Sequence, residues 1–326
     1  MALGFTLKIE KYAYLARSYM KFFLTGKVLS YPLVIQIQTK SLCNGHCIFC
    51  PYPEVSKRLE HGTMTWELFK NITDELFSIK YPVMLVFELH NEPLLDDRIF
   101  DFIKYVKSRN REIGCFLVSN GQVIDNFSLQ EINQSDIDGL IVSLNAHSQE
   151  MFQKLNSGLN YYRIIRNIHL LISVESLKRK LMISFVLNQE TAKEIPQALD
   201  YWKSMDVKTR IIELNNRAGT IADYNSMTLR SSNINFSLTE IIGRYLIDCT
   251  IGIIGCYETF YHMNILYNGD VIICCDDWNR ATIVGNVRDK TIKQVWNSPP
   301  MNEVRRLILK KKYDQISSCR NCSKAK

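Results

Sequence analysis

Three cysteines stand close together in this chain at Cys43, Cys47 and Cys50, in C-x3-C-x2-C spacing. Thiolates so spaced can ligate three irons of one cubane [4Fe–4S] cluster and leave the fourth iron without a protein ligand, open to chemistry. Two other uses of the same residues fit less well. A structural zinc site needs a fourth ligand, and only His46 and His61 stand nearby. A disulfide framework belongs to small secreted chains, and ten cysteines in 326 residues with no signal-peptide pattern ahead of them do not describe one.

A second set comprises Cys256, Cys274, Cys319 and Cys322. It reads C-x12-G-x4-C, with Gly269 as the glycine, then a long gap and C-x2-C. Between its first members, Ile265 to Cys274 predicts a β-hairpin turning at Asn268-Gly269, a dipeptide suited to the left-handed backbone of tight hairpins. Four thiolates suit a zinc tetrahedron or a fully ligated second cluster, and spacing alone does not separate the two.

Elements that would position these residues follow from hydrophobic patterning. Strands are expected at 33–38, 84–90, 115–119, 140–144, 181–187 and 210–214. Helices are expected near 65–77, 97–109, 129–134, 150–172 with a break at Gly158, and 192–205. Alternation of this kind argues for an α/β fold with a parallel sheet flanked by helices, and six units make an incomplete barrel. Functional groups then gather at the C-terminal ends of the strands. Those ends carry His90-Asn91-Glu92-Pro93, Ser119-Asn120-Gly121, and Ser143 with Asn145. Residues 1–30 form a basic, aromatic helical lead expected to pack across the end of the barrel. The barrel occupies 31–220, and a linker helix with the second cysteine set occupies 221–326.

The trio of cysteines, with Phe49 before the last of them and a strand-like run before the loop, resembles the radical S-adenosylmethionine (SAM) superfamily. That resemblance implies a partial (β/α)6 barrel. It also implies a [4Fe–4S] cluster whose open iron chelates SAM, which one-electron reduction splits to a 5′-deoxyadenosyl radical. An external electron donor such as flavodoxin or ferredoxin is implied as well. Glu92-Pro93 looks like the family's Gly-Glu-Pro motif, whose acidic residue binds the SAM amino group, although Asn91 replaces the usual glycine. Asn120 sits in a Thr-Asn-Gly-like turn, and Phe49, Ser143 and Asn145 are further candidates to meet SAM. The hairpin and second cysteine set resemble the twitch domain, a shortened SPASM domain, which implies one auxiliary [4Fe–4S] cluster on Cys256, Cys274, Cys319 and Cys322.

Among such proteins the likeness extends to aminocyclitol dehydrogenases. Val55 to Arg58 and Glu92 to Leu95 match them. Asn216-Arg217-Ala218-Gly219 resembles a segment whose arginine contacts substrate, and Asp276 to Asn279 resembles a run whose first acidic residue lies near it. The implied reaction is oxidation of an alcohol to a ketone on a small polar substrate, an amino sugar or cyclitol. Arg217 would anchor the substrate, Asp276 would act as acid/base group, and the auxiliary cluster would accept the electron. Cys275 replaces a pocket-lining aromatic residue. It suggests an alternative, an epimerase whose thiol returns hydrogen, although period-two alternation would turn it away from the face of Cys274. Cys115 and Cys249 are expected to be inert. Peptide maturation is a further alternative.

Composition bounds the rest. The chain is 46% hydrophobic and 22% charged, as in ordinary globular proteins. No apolar run of about 18 residues marks a membrane span. The net charge of +7 is dispersed, with short clusters at Lys178 to Lys180 and Lys310 to Lys312, and gives a nucleic-acid partner little support. Unpaired cysteines and an oxygen-labile cluster point to a reducing cytoplasm.

Overall fold

The structure, a computed structural model, describes residues 2–229 and 255–325. The expected linker helix and Cys249 fall largely or wholly outside the described residues. Six strands run parallel in chain order: β1 (Val34–Ile37), β2 (Met84–Phe87), β3 (Gly114–Ser119), β4 (Gly139–Ser143), β5 (Leu181–Leu187) and β6 (Lys208–Glu213). These are the expected strands with ends shifted by a few residues. Helices return the chain between them, among them Trp66–Asp74, Ile99–Arg109, Leu129–Gln134, Tyr161–Ile172 and Ile195–Ser204. Their starts are held by capping side chains: Thr65, Ser128 and Asn160 each accept a backbone N–H from the first turn.

The α/β partial barrel is therefore present, and the hairpin of the second cysteine set joins its sheet. Strand β7 (His262–Ile265) lies parallel to β1, pairing Val34 with His262 and Gln36 with Asn264. Strands β8 (Asp270–Ile272) and β9 (Ile283–Asn286) follow antiparallel. The full order is β9-β8-β7-β1-β2-β3-β4-β5-β6. Gly269, at φ +88°, makes the turn between β7 and β8.

Alternation along the strands separates two faces. Leu85, Phe87, Cys115, Leu117, Val142 and Ile183 are buried against the helices. Cys115 has no exposure and lies in this core, as expected of an inert thiol. The opposite, inner face carries Gln36, Val86, Glu88, Ser143, Ser184 and Arg210. Helix α1 (Ala2–Thr25) packs where the strands begin. Tyr14 donates to the Tyr31 carbonyl just before β1, and Tyr19 stacks on Phe260 at 4.1 Å.

The helix break near Gly158 has a structural cause. Helix Gln149–Leu155 stops, and Asn156–Ser157 pairs antiparallel with His46–Cys47 of the first cysteine loop. Gly158 has φ +82°, and a Cβ there would meet His46 Nδ1 at 2.8 Å and Asn44 O at 3.1 Å. The interruption in the helix thus cradles the loop.

Candidate active site

The loop of Cys43, Cys47 and Cys50 follows β1 and is tied from several directions. Glu92 N donates to Leu42 O at 2.8 Å, Asn120 Nδ2 to Asn44 Oδ1 at 2.7 Å, and Ile48 N to Leu155 O at 3.0 Å. Phe49 is buried in the main core and anchors the loop from below. His61, a zinc-ligand candidate, has each ring nitrogen against a carbonyl, Ser41 O at 2.9 Å and Ser56 O at 3.0 Å. His46 is exposed.

Among the described residues, just one group of three His, Cys, Asp or Glu donors lies within 4.8 Å of one another: Cys274, Cys275 and Asp276. Neither full cysteine set converges that tightly. Burial pushes the Cys43 thiol up to about 12, with Glu92 and Cys50 adding to the rise, and burial raises Cys47 and Cys50 as well. Buried thiols of this kind ionise against compensating positive charge, which iron provides.

Glu92 stands beside this loop, 2% exposed. Its Oε1 accepts from Ser119 Oγ at 2.7 Å and Leu94 N at 3.0 Å, and its Oε2 from Asn120 N at 2.7 Å. Burial nevertheless raises its pKa to about 7. Ser143 lies on the inner face of β4. Asn145, at φ +65°, is buried with both amide ends engaged, Oδ1 with Val186 N and Nδ2 with Asn156 Oδ1, each at 3.3 Å. Because Asn156 pairs with Cys47, Asn145 braces the cysteine loop through the protein.

The second set lines one cavity. Cys256, Cys274, Cys319 and Cys322 surround it together with Ile273, Ile308 and Asp276. Burial pushes the Cys319 thiol up to about 12 and raises Cys256 further. A small pocket where four thiols meet, with Glu258, Asp277 and Lys324 also at its wall, is a fitting cradle for a fully ligated cluster.

Arg217 joins the two sets. Arg217, Ala218 and Gly219 all have positive φ, of 46°, 56° and 85°. Two side-chain-bearing residues in the left-handed region mark a loop held in place by its surroundings. The hold is visible: Asn216 Nδ2 donates to Asn321 O at 2.6 Å, and Ser323 N donates to Asn216 Oδ1 at 2.8 Å. Arg217 Nη1 then reaches Asp276 Oδ1 at 3.0 Å, while Lys324 Nζ reaches Asp276 Oδ2 at 2.9 Å. Burial acts to raise the Asp276 pKa, but Lys324 and Arg217 outweigh it and hold the carboxyl below its usual value. The Arg217 charge also acts on Cys50 of the first set, and among the described residues its buried Nε has no partner.

Alternation does not govern Cys275. Strand β8 ends at Ile272, and the turn that follows brings the Cys275 sulfur within 4.8 Å of both the Cys274 sulfur and an Asp276 oxygen. Its carbonyl accepts from His90 Nε2 at 2.7 Å, and the His90 ring stacks on Trp278 at 4.1 Å. Burial lowers the His90 pKa to about 4, so the ring is neutral. Sequence reasoning missed Lys324, Ser119 as a Glu92 ligand, and the His90–Trp278 stack. Only the closeness of each to a named motif could have drawn attention to it.

Residues 37–201 match the radical SAM superfamily. The chain belongs to that superfamily. Residues 256–323 match SPASM, an iron-sulfur cluster-binding domain. The chain is 20% identical over 290 residues to an S-adenosyl-L-methionine-dependent 2-deoxy-scyllo-inosamine dehydrogenase of Niallia circulans, covering 89% of this chain and 92% of the relative. It is 26% identical over 184 residues to a probable GTP 3′,8-cyclase of Methanococcus aeolicus, covering 55% and 58%. Among solved structures, BtrN in complex with AdoMet and 2-DOIA superposes with a TM-score of 0.59 at 18% identity, covering 89% of this chain and 92% of that one. Native anSMEcpe with bound AdoMet gives 0.62 at 17% identity and 89% of both. These likenesses establish a radical SAM enzyme with a SPASM-type region, using a [4Fe–4S] cluster, SAM and auxiliary iron-sulfur. No helix among the described residues is long and apolar enough to cross a membrane.

Proposed function

We propose that this radical SAM enzyme oxidises an alcohol of a small polar substrate, of the amino sugar or cyclitol class, to a ketone. The observation that carries the reading is the Arg217–Asp276–Lys324 chain, poised between Cys50 of one cysteine set and Cys274 of the other. Cys43, Cys47 and Cys50 would hold the first cluster, and Cys256, Cys274, Cys319 and Cys322 the auxiliary one. Glu92 would receive the SAM ammonium, with Asn120 and Ser143 beside it and Phe49 and Asn145 bracing the loop. When bound, the cofactors supply hydrogen-atom abstraction from a C–H bond and an acceptor for one electron. The chain's own residues do the rest. Arg217, whose Nε has no partner among the described residues, orients the reacting hydroxyl through fixed donors. Asp276, kept ionised by two cations, takes its proton. The relative from Niallia circulans, which spans nearly this whole chain, supports the reaction class.

The test is anaerobic turnover of reconstituted protein with SAM, reductant and 2-deoxy-scyllo-inosamine. Equal amounts of 5′-deoxyadenosine and ketone are expected. Deoxyadenosine without any two-electron-oxidised product from a panel of aminocyclitols would exclude the reading. Epimerisation is a second reading, favoured by the nearness of the Cys275 sulfur to the Asp276 carboxylate. It requires inverted product carrying solvent deuterium, abolished in Cys275→Ser.

A further inference from the structure

The inner face of the sheet carries two opposite charges, Glu88 and Arg210. Glu88 follows Phe87 at the C-terminal end of β2 and accepts from Gln36 Nε2 at 3.3 Å. Arg210, on β6, donates through Nε to Ser184 Oγ at 3.1 Å. Burial lowers the Arg210 pKa, and Glu88 is the group that opposes this, so the two charges sense each other. Glu88 also acts on Cys50, which places it beside the first cysteine set. Among the described residues neither makes an ion pair within 4.0 Å.

Nearby polar atoms are also left open. Gln36 pairs in register with Asn264 of β7, so both side chains emerge on this same face. Among the described residues the Gln36 Oε1 and both amide atoms of Asn264 have no partner, and Asn264 is 1% exposed. A half-buried carboxylate, a half-buried guanidinium and orphaned amides are costly unless something completes them. A ligand that does so needs a cationic donor for Glu88, oxygen acceptors for Arg210, and hydroxyls for the two amides.

We propose that Glu88 and Arg210 bind opposite ends of the substrate, Glu88 its ammonium group and Arg210 its oxygens, and so select an amino polyol over a neutral one. This rests on the reading above that the site takes a small polar substrate, and it names the residue that reads the amine. The test uses the SAM-loaded, cluster-containing protein under anaerobic calorimetry with two probes, 2-deoxy-scyllo-inosamine and scyllo-inositol. Wild type should bind the amine at least about tenfold more tightly, and Glu88→Gln should erase that preference. Equal binding of the two probes by wild type, or binding of neither, overturns the proposal. So does an undiminished preference in a Glu88→Gln protein of normal iron content. Should that variant load less iron, Arg210→Met carries the test, with a loss of about tenfold expected for both probes and unchanged affinity overturning it. Amine-selective binding without ketone formation would sink the oxidation reading and leave this one standing.

Discussion

The two cysteine sets solve different problems with the same donor. The first lies within one loop after β1, is complete in eight consecutive positions, and is pinned by the backbone bond from Ile48 to Leu155 and by the Asn120–Asn44 contact. Three thiols leave room for a fourth, external ligand. The second set is drawn from three distant segments around one cavity, and four thiols can ligate all four irons of a cubane. An open site depends on local spacing, whereas a closed one depends on the whole fold bringing its parts together.

The comparison breaks most sharply at the first set. Replacing Cys43, Cys47 and Cys50 together by alanine should lower iron from about eight to about four per chain and abolish 5′-deoxyadenosine formation. Mössbauer spectroscopy with anaerobic iron quantitation reads both numbers. About four irons in wild type would mean that the second set holds no cubane. Replacing Cys256 and Cys319 should also lower iron to about four per chain but spare the first cluster. SAM cleavage should persist within a few-fold, while ketone formation falls below detection, measured as deoxyadenosine released without product.

Between the sets, Asp276→Asn should cost both product formation and stability. It leaves Arg217 and Lys324 beside each other without their shared anion. Their side chains keep 31% and 36% exposure, so solvent screens part of the penalty. A loss of about 2–3 kcal/mol is expected in chemical denaturation, below the 3–5 typical when a fully buried pair is broken. A loss under about 0.5 kcal/mol would show that the three groups do not act as a unit.

Legibility in the sequence followed the same division. The first trio, its strand and the Glu92 motif were readable because each is local: a spacing, a period, a dipeptide. The parallel sheet was readable because β-branched runs alternate with helical ones. The pairing of β7 with β1 was not, since nothing in either strand names its neighbour across more than 200 residues. Lys324 was invisible for the same reason: a lysine two residues past Cys322 carries no mark until the fold sets it against Asp276. Cys275 was open to two readings because strand alternation does not extend past the end of β8 at Ile272. The break at Gly158 was legible, but its purpose, backing the cysteine loop, appears only in three dimensions.

The smallest effect concerns Glu92, whose pKa burial raises to about 7. If its carboxylate receives the SAM ammonium, the protonated form must give up a proton before SAM binds. Affinity should then be nearly constant just above pH 7 and fall as pH drops below it, approaching tenfold per unit. Anaerobic equilibrium dialysis of SAM between about pH 6 and 7.5 measures the slope. Glu92→Gln should bind SAM more weakly and without that slope. The three bonds from Ser119, Asn120 and Leu94 give the alternative its physical form. A carboxylate wholly occupied in fixing those strand ends would leave SAM affinity flat with pH in wild type, and Glu92 would then shape the loop that holds the first cysteines without touching SAM.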